Sequence, residues 1–298
     1  MKEKDEGRPS GLRRVLEDEH LRDDDDPPAS ATQSLDTLKE GYSWVRSLAA
    51  RYPGWHLASV DGFPFTLPVK GLSESRVCLI SLGGVYRKGQ KPFNTSPGVV
   101  PPQLRNMRFR DRGDWSVREI PVDTDPTELE IAHAHYDHSD ADEDINCVFP
   151  LARLRELEVE GFIGECADVH YGMMGYVPEV KLVLQTASDD IIPRLQHHKV
   201  DAVVISGGCE LSHQTAGLIQ REIESAGIPT VGISVCQDIT YQLQVPRAAV
   251  LGFPLGNPFG AAMDATMQSR VLRDGLSLLP GVPTPGEIVR LPYDWVKM

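Results

Sequence analysis

The sequence predicts an α/β fold in which a parallel sheet forms Rossmann-like layers with helices on both faces. In the second half of the chain, nearly continuous apolar runs alternate with segments of helical period, and these runs are VDAVVIS, IPTVGISV and AAVLGF. A strand that is apolar along its whole length is typical of a parallel sheet covered on both faces. The alternation of such strands with helices therefore favours the α/β class.

An acidic tail, residues 1–33, precedes the folded part in this prediction. Its stretch DDDDPPAS combines repulsion between like charges with proline, so we expect the tail to be disordered. The remaining residues, 34–298, are expected to form the α/β domain. A division of this domain into two lobes, about 34–150 and 151–298, stays open.

The first half of the domain is the less regular one. The run SLDTLKEGYSWVRSLAARY predicts a helix that ends at Pro53, and RVCLISLGGVY predicts a strand that ends in glycines. Residues 86–118 are rich in proline, asparagine, arginine and glycine, which predicts a long loop. The run TDPTELEIA, residues 124–132, has the pattern of a capped helix.

The second half predicts helices and strands in alternation. Proline near the start and glycine after the end mark FPLARLRELEVEG as a helix, and Pro193 is expected to kink or break a helical segment over residues 179–199. The other predicted elements are, in chain order, the strands FIGECADV and VDAVVIS, the helix ELSHQTAGLIQREIESAG, the strand IPTVGISV, the short helix DITYQLQ, the strand AAVLGF and the helix AAMDATMQSRVLRDGLSLL.

Charge, hydropathy and cysteine count argue against several classes of function. The net charge of −13 argues against a nucleic-acid partner, because phosphate binding requires a positive surface. No stretch approaches the roughly 20 apolar residues of a membrane helix, and the N-terminus has no apolar signal segment. We therefore expect a cytoplasmic protein without a membrane partner. The five cysteines are scattered and odd in number, so we expect free thiols.

Cys209 is the first candidate for a catalytic residue. It follows a predicted strand and the turn Gly207–Gly208, and a predicted helix begins after it. Ligands of parallel sheets bind outside the carboxyl ends of the strands, and glycines let a ligand approach the backbone. The helix N-terminus favours thiolate and His213 is the candidate proton partner, whereas Glu210 opposes ionisation. The alternative is that Cys209 is a small core residue.

Further residues are expected at the same edge of the sheet. Cys236 ends the next predicted strand, so it is a candidate resolving thiol if the two strands are neighbours. Packing at the strand end is the alternative. Contact with a small-molecule substrate is predicted for Gln214 and Thr215 in the first turn of the helix, and for Tyr171, Gly256 and Asn257. Ordinary core packing is the alternative for Tyr171, and a plain turn is the alternative for Gly256 and Asn257.

The stretch HAHYDH, residues 133–138, is the second candidate site, and we call it the histidine block. His133, His135, Asp137 and His138 fit H-x-H-x-D-H, the spacing of metallo-β-lactamase-type hydrolases, and their side chains are of the types that bind zinc or iron. The context differs from those hydrolases, because a helix-like segment precedes the block and carboxylates follow it. A metal site of another kind and a polar loop without metal both stay open.

Four separated motifs together resemble a known family. They are HAHYDHSDADEDINCVFPLARLREL, HYGMMGYVPE, VDAVVISGGCELSHQTAGLIQREIESAGIPTVGIS and FPLGNPFG, in the family's order over most of residues 76–265. The chain is similar to component B of the glycine/sarcosine/betaine and D-proline reductases, the selenoprotein B family, as a cysteine-containing homologue. The resemblance implies an oxidoreductase whose Cys209 takes the place of a selenocysteine or cysteine. That residue would cleave a C–N, C–S or C–Se bond of a small substrate.

The resemblance also implies partners, and the chain departs from the family at one position. Relatives work with further subunits, so partner reductase subunits or a homo-oligomer are expected, and the domain at 34–298 would be reductase-like. Relatives often carry a second cysteine three residues after the first, where this chain has Ser212. Three functions stay open, namely a thiol-dependent reductase or lyase, a metal-dependent enzyme built on the histidine block, and a non-catalytic subunit of a reductase complex.

Overall fold

A computed structural model describes residues 43–52, 55–95 and 113–295 of the chain. The predicted acidic tail, residues 1–33, lies outside this described part. The strands of the described part are β1 (Arg76–Leu82), β2 (Val85–Arg87), β3 (Arg118–Pro121), β4 (Leu129–Ile131), β5 (Glu165–Cys166), β6 (Val169–Gly172), β7 (Ala202–Gly207), β8 (Thr230–Ser234), β9 (Arg247–Val250) and β10 (Glu287–Arg290).

Eight of the strands in the described part form a central sheet. Its order is β10-β9-β8-β7-β1-β6-β3, with β5 paired to the start of β1. The strands pair in parallel except for β3, which is antiparallel to β6. The predicted α/β fold with a largely parallel sheet is therefore confirmed. Both predicted lobes contribute strands to this sheet, and the division into lobes stays a prediction.

The helix predicted over residues 124–132 is wrong. Asp125 caps a 3-10 turn, Pro126–Glu128, by accepting a hydrogen bond of 2.8 Å from the Thr127 N–H, and the chain then continues as β4. In a second, two-stranded sheet, β4 pairs antiparallel with β2. An Asp cap followed by proline starts a three-residue turn as well as it starts a longer helix, which explains the error.

Helices cover both faces of the central sheet. The α-helices of the described part are α1 (Trp44–Arg51), α2 (Ser139–Glu143), α3 (Leu151–Val159), α4 (Val180–Thr186), α5 (Ile192–His197), α6 (Glu210–Ser225), α7 (Gln237–Gln242) and α8 (Ala265–Gly281). On β8, Gly232 faces Gln220 of α6, whereas the next residue, Ile233, contacts Gly275 of α8. Because successive residues of a strand point to opposite faces, α6 and α8 lie on opposite sides of the sheet.

The break expected at Pro193 takes the form of a widened turn. Helix α4 passes into a π-helical turn, Ala187–Ile191, and α5 begins directly after it with Pro193 in its first turn. Proline has no N–H to donate, and the first turn of a helix needs none from it. The helical segment is therefore interrupted at Ala187–Ile191 and then continues to His197, within the predicted range of residues 179–199.

A buried ion pair fastens the C-terminal end of α6. Oε1 of Glu224 lies 2.9 Å from Nη1 of Arg247, and both side chains are fully buried. Glu224 also accepts hydrogen bonds from the N–H groups of Thr230 and Thr66, and Arg247 donates to the carbonyl oxygens of the same two residues. Buried charges require partners of this kind, and these contacts join α6 to β8, β9 and the segment before β1.

The core of the described part lies between the central sheet and its helices. Leu79, Ile205 and Val231 on three adjacent strands are at most 2% exposed. No helix among the described residues has both the length and the apolar character that crossing a bilayer would require.

Candidate functional site

The candidate site lies at the edge of the sheet where β1, β7, β8 and β9 have their carboxyl ends. Strands β7 and β8 are neighbours, with Val203 opposite Thr230, as their predicted proximity requires. Cys209 follows β7 and Cys236 follows β8. The two cysteines therefore follow neighbouring strands at one edge of the sheet, because parallel strands end on the same side.

Cys209 caps the N-terminus of α6. Its Sγ accepts a hydrogen bond of 3.3 Å from the Ser212 N–H, and its own N–H donates to Oγ of Ser212 at 2.8 Å. Ser212 thus completes a capping box. The reciprocal pair of hydrogen bonds holds the sulfur at the first turn of the helix.

These capping hydrogen bonds are not enough to keep the Cys209 thiol ionised, because the residue is only 1% exposed and burial disfavours the charged form. Burial raises the pKa of Cys209 to about 11, and the hydrogen bonds from the first turn of α6 only partly oppose this rise. The charge of Glu210 raises the pKa further. The helix N–H groups favour thiolate as expected, but desolvation of the sulfur outweighs them here, and the role of Cys209 as a nucleophile stays a prediction.

His213 is bound to the main chain through both ring nitrogens. Its Nδ1 lies 2.6 Å from the carbonyl oxygen of Cys209, and its Nε2 accepts a hydrogen bond of 3.2 Å from the Val235 N–H. Since Val235 donates to Nε2, the neutral ring carries its proton on Nδ1 and donates it to Cys209. Burial lowers the pKa of His213 to about 4, so this neutral form holds the turn after β7 against the end of β8.

Tyr136, in the middle of the histidine block, fills the space between the strand ends. Its hydroxyl donates a 2.6 Å hydrogen bond to the carbonyl oxygen of Gly83, which follows β1. Its ring lies so close to Gly208 and Gly256 that a Cβ at either position would approach ring carbons within 2.8 Å or less. Burial of the hydroxyl raises the pKa of Tyr136 well above 10. Gly208 and Gly256 thus make room for a tyrosine in this structure.

The turn residue Gly207 makes room for a second side chain. A Cβ at Gly207 would lie 2.8 Å from Nδ1 of His213. The loop after β9 is held to the turn after β7 by a 2.9 Å hydrogen bond from the Gly256 N–H to the Gly208 carbonyl oxygen. The predicted approach of a substrate to these glycines stays a prediction, because His213 and Tyr136 occupy the space beside them here.

The first two histidines of the histidine block face aromatic partners. Nδ1 of His133 accepts a 3.0 Å hydrogen bond from the His135 N–H, and the ring lies beside Tyr136 with centroids 4.6 Å apart. The His135 ring stacks on Tyr176 at 3.7 Å, and its Nδ1 lies 3.3 Å from the hydroxyl of Tyr52. Burial lowers the pKa of His133 to about 3, so this ring is neutral.

The remaining two residues of the histidine block point to other partners. Oδ1 of Asp137 accepts from the Ser139 N–H at 3.0 Å, and Nδ1 of His138 lies 2.7 Å from Oδ2 of Asp142. Within the described residues, no group of three or more His, Cys, Asp or Glu is placed to hold a metal ion. The arrangement does not fit a zinc or iron ion bound by all four predicted ligands.

The other predicted substrate residues are engaged in the protein interior. Oε1 of Gln214 accepts from the Ala58 N–H at 3.0 Å, and the Thr215 hydroxyl donates to the Gly175 carbonyl oxygen at 2.7 Å. Tyr171 and Asn257 are buried, Tyr171 on β6 and Asn257 in the loop after β9. Their contact with a substrate stays a prediction, because this geometry uses or encloses each of them.

Cys236 differs from Cys209 although it follows the neighbouring strand. It is fully buried and precedes α7, but its sulfur makes no capping hydrogen bond. Burial raises the pKa of Cys236 well above 9, and the nearby charges of Asp238 and Glu210 raise it further. Its role as a resolving thiol stays a prediction.

Sequence reasoning missed three residues that the fold brings to this edge. Arg51, at the end of α1, forms an ion pair of 3.0 Å with the buried carboxylate of Glu210. Tyr52 follows it and lies beside His135. Tyr136 lies inside the histidine block, where the pattern of metal-ligand residue types gives no signal for a tyrosine. Arg51 and Tyr52 come from a distant part of the chain, and no local pattern indicates where α1 packs.

Comparison with known proteins identifies relatives over most of the chain. The family model of glycine/sarcosine/betaine reductase selenoprotein B matches residues 52–208, a range that ends immediately before Cys209. The D-proline reductase subunit gamma of Acetoanaerobium sticklandii is 34% identical over 234 residues, which cover 78% of this chain and 90% of that protein. No solved structure matches the chain.

More distant relatives come from other reductase complexes. The glycine reductase complex component B subunit gamma of Symbiobacterium thermophilum is 28% identical over 78% of this chain and 52% of its own length. The betaine reductase complex component B subunit beta of Peptoclostridium acidaminophilum is 24% identical over 66% of this chain and 43% of its own. The chain thus spans about half or less of these longer relatives. It belongs to the glycine/sarcosine/betaine reductase selenoprotein B family.

Proposed function

We propose that this chain is the thiol-bearing subunit of a reductase complex and that Cys209 is the nucleophile that cleaves a C–N bond of a small amino acid or N-methylated amino acid. The position of Cys209 carries the proposal, because its sulfur caps α6 at the carboxyl edge of a parallel sheet. The names of the relatives, D-proline reductase and glycine reductase complex subunits, supply the substrate class.

The proposed reaction requires two thiols besides Cys209. The Cys209 thiolate attacks the carbon that bears nitrogen, so that a C–S bond forms, the C–N bond breaks and the amine leaves with the electron pair and takes a proton. A dithiol reductant supplied by a partner subunit then attacks the sulfur, which forms an S–S bond while the carbon leaves and is protonated. The second thiol of the reductant releases Cys209 and leaves the reductant as a disulfide.

The thiol has to lose its proton before it attacks. With a pKa of about 11, only about one Cys209 in ten thousand is ionised at neutral pH. His213 cannot take this proton while both of its ring nitrogens are bound to the main chain, so we assign it the role of a positioning residue for the turn. Entry of a substrate or partner that gives the sulfur new polar contacts would lower this cost.

A second candidate function is that of a non-catalytic subunit in the same complex. Two observations favour it, the almost complete burial of Cys209 and the presence of Ser212 where a second thiol is common in relatives. The metal-dependent alternative has less support, because the histidine block does not converge on one point.

The experiment assays the complex assembled from this chain and its own partner subunits. D-Proline, glycine, sarcosine and betaine are each offered with dithiothreitol as the dithiol, and release of the reduced product is measured. We expect Cys209→Ser to lower the rate by roughly a thousandfold. Cys166→Ser is the matched control, because Cys166 pairs with Val77 near the opposite end of β1.

Two results would decide between the candidates. A Cys209→Ser complex that keeps its full rate with an active substrate would overturn the nucleophile and favour the non-catalytic subunit. Loss of activity in Cys209→Ser, with Cys166→Ser retained, would support the catalytic role.

A further inference from the structure

Glu210, the first residue of α6, directly follows Cys209 and has a buried carboxylate. Glu210 is 3% exposed, and Nη1 of Arg51 lies 3.0 Å from its Oε1. The Arg51 side chain is about half exposed, so the pair has one buried and one solvated member. Near a buried sulfur, a carboxylate opposes formation of a second negative charge, and a cation paired with that carboxylate weakens the opposition.

Glu210 is the charge that raises the pKa of Cys209, and Arg51 is the cation paired with it. The other titratable groups near Cys209 in the described structure come from α1, the histidine block, α6 and the end of β8, namely Tyr52, Tyr136, His213 and Cys236. The two tyrosines and Cys236 have raised pKa values and His213 has a lowered one, so all four are neutral at neutral pH. Asp238 is nearer to Cys236, where it binds the start of α1.

Helix α1 places the guanidinium of Arg51 beside Glu210. Its N-cap residue Ser43 donates to Asp238 at 2.8 Å, the Val45 N–H donates to the same oxygen at 3.1 Å, and Leu48 is buried. At the other end, Tyr52 lies 3.3 Å from Nδ1 of His135. Both ends of α1 are therefore attached around the strand ends, and Arg51 faces Glu210 only while α1 is docked.

We propose that Arg51 is a positioning residue that acts through Glu210 to control how readily Cys209 loses its proton. This inference rests on the proposed role of Cys209 as a nucleophile. Docking of α1 pairs the buried carboxylate and allows a thiolate to form beside it. Release of α1 leaves the carboxylate unpaired and keeps Cys209 protonated.

The test measures alkylation of Cys209 in the intact chain by iodoacetamide, an uncharged reagent that reacts with thiolate. The rate is followed by mass spectrometry of the Cys209 peptide as a function of pH. At about pH 8 we expect Glu210→Gln to raise the rate about tenfold, because the neighbouring negative charge is lost. We expect Arg51→Gln to lower it about threefold, because the carboxylate is left unpaired and partly solvated.

Two further variants distinguish the effect of charge on Cys209 from the effect of easier access of iodoacetamide to the sulfur. In Arg51→Gln with Glu210→Gln, we expect the rate of the Glu210→Gln single variant, because no carboxylate remains for Arg51 to pair. Arg51→Lys keeps the cation and should keep the wild-type rate and pH dependence. Arg46→Gln changes an exposed arginine of the same helix and is the matched control.

The sign of the Arg51→Gln effect decides the proposal. If α1 acts only as a cover, Arg51→Gln and Glu210→Gln both loosen it and both accelerate alkylation, which would overturn the assignment. An Arg51→Gln rate equal to that of Arg46→Gln would overturn it as well. These rates need no turnover, so a complex that remains active with Cys209→Ser would remove the proposed function and leave the charge coupling intact.

Discussion

The two ends of α6 each bury a glutamate that is paired with an arginine. At the C-terminal end, Glu224 and Arg247 are both fully buried and bind two further backbone segments. At the N-terminal end, Glu210 is buried beside Cys209, whereas its partner Arg51 is about half exposed and reaches it from α1. One helix therefore carries the same pair of residue types in two different environments.

The two pairs differ in how much is lost when one of their members is removed. A fully buried ion pair cannot lose one member without leaving a desolvated charge behind. A pair with one solvated member loses less, because water replaces part of the interaction. Breaking the C-terminal pair should therefore cost more stability than breaking the N-terminal pair, which we propose acts on the neighbouring sulfur.

The largest expected effect concerns the C-terminal pair. Arg247→Leu should lower the free energy of unfolding by about 3–5 kcal/mol, because it leaves the buried carboxylate of Glu224 without its cation. Urea unfolding followed by circular dichroism measures the change. Lys70→Gln, which breaks an exposed pair with Asp201, is the control and should cost less than about 1 kcal/mol. Equal costs for the two variants would show that burial does not make the Glu224–Arg247 pair more important for stability than an exposed pair.

The next effect concerns the packing at the N-terminal end. Gly256 and Gly227 have nearly the same positive φ, +85° and +86°, but a Cβ at Gly256 would lie 2.6 Å from the Tyr136 ring, and one at Gly227 would meet no atom within 4 Å. Gly256→Ala should therefore cost about 1–3 kcal/mol more than Gly227→Ala, since both share the backbone strain and only one is overpacked. Thermal unfolding of both variants measures the difference. A Gly256→Ala chain as stable as Gly227→Ala would mean that Tyr136 moves aside freely.

The third expected effect appears only below pH 6.5 and is a change in the response to acid. The pKa of His213 falls from an ordinary 6.5 to about 4, so the unfolded chain binds a proton there that the folded chain excludes. The stability contributed by neutral His213 is complete above pH 6.5 and is lost as the pH falls towards 4.

His213→Gln should therefore reduce the slope of unfolding free energy against pH in that window by about 1.4 kcal/mol per pH unit. Urea titrations at several pH values measure the slope. The control is His197→Gln, a change of an exposed histidine, which should leave the slope as in the wild type. A His213→Gln slope equal to the wild-type slope would show that the ring already accepts a proton in the folded chain.

The parts of the fold that could be predicted from sequence are those in which local pattern and burial agree. Strands β1, β7, β8 and β9 coincide with apolar runs, because parallel strands inside a sheet are buried along their length. The edge strand β10 was missed because Glu287 and Arg290 are exposed at its two ends and shorten the apolar run to two residues. The signal for β4 was hidden by the proline turn that precedes it.

The candidate site was predictable only in part. Cys209 was found because strand, glycine turn and helix follow each other in sequence, so its position at the strand end needed no tertiary information. Its pKa could not be found in this way, since burial depends on Tyr136, which is 73 residues away, and on the docking of α1. Arg51 and Glu210 are likewise brought together by helix packing, which no spacing in the sequence encodes.

The Tyr136 ring has a consequence for how the strand ends move. Its hydroxyl holds the loop after β1 at Gly83, and its ring rests on the turn after β7 and on the loop after β9. A displacement of any one of these connections must be shared by the other two or must break a contact with the ring. A single aromatic side chain thus couples three connections between strands, only two of which are also joined by a backbone hydrogen bond, from Gly256 to Gly208.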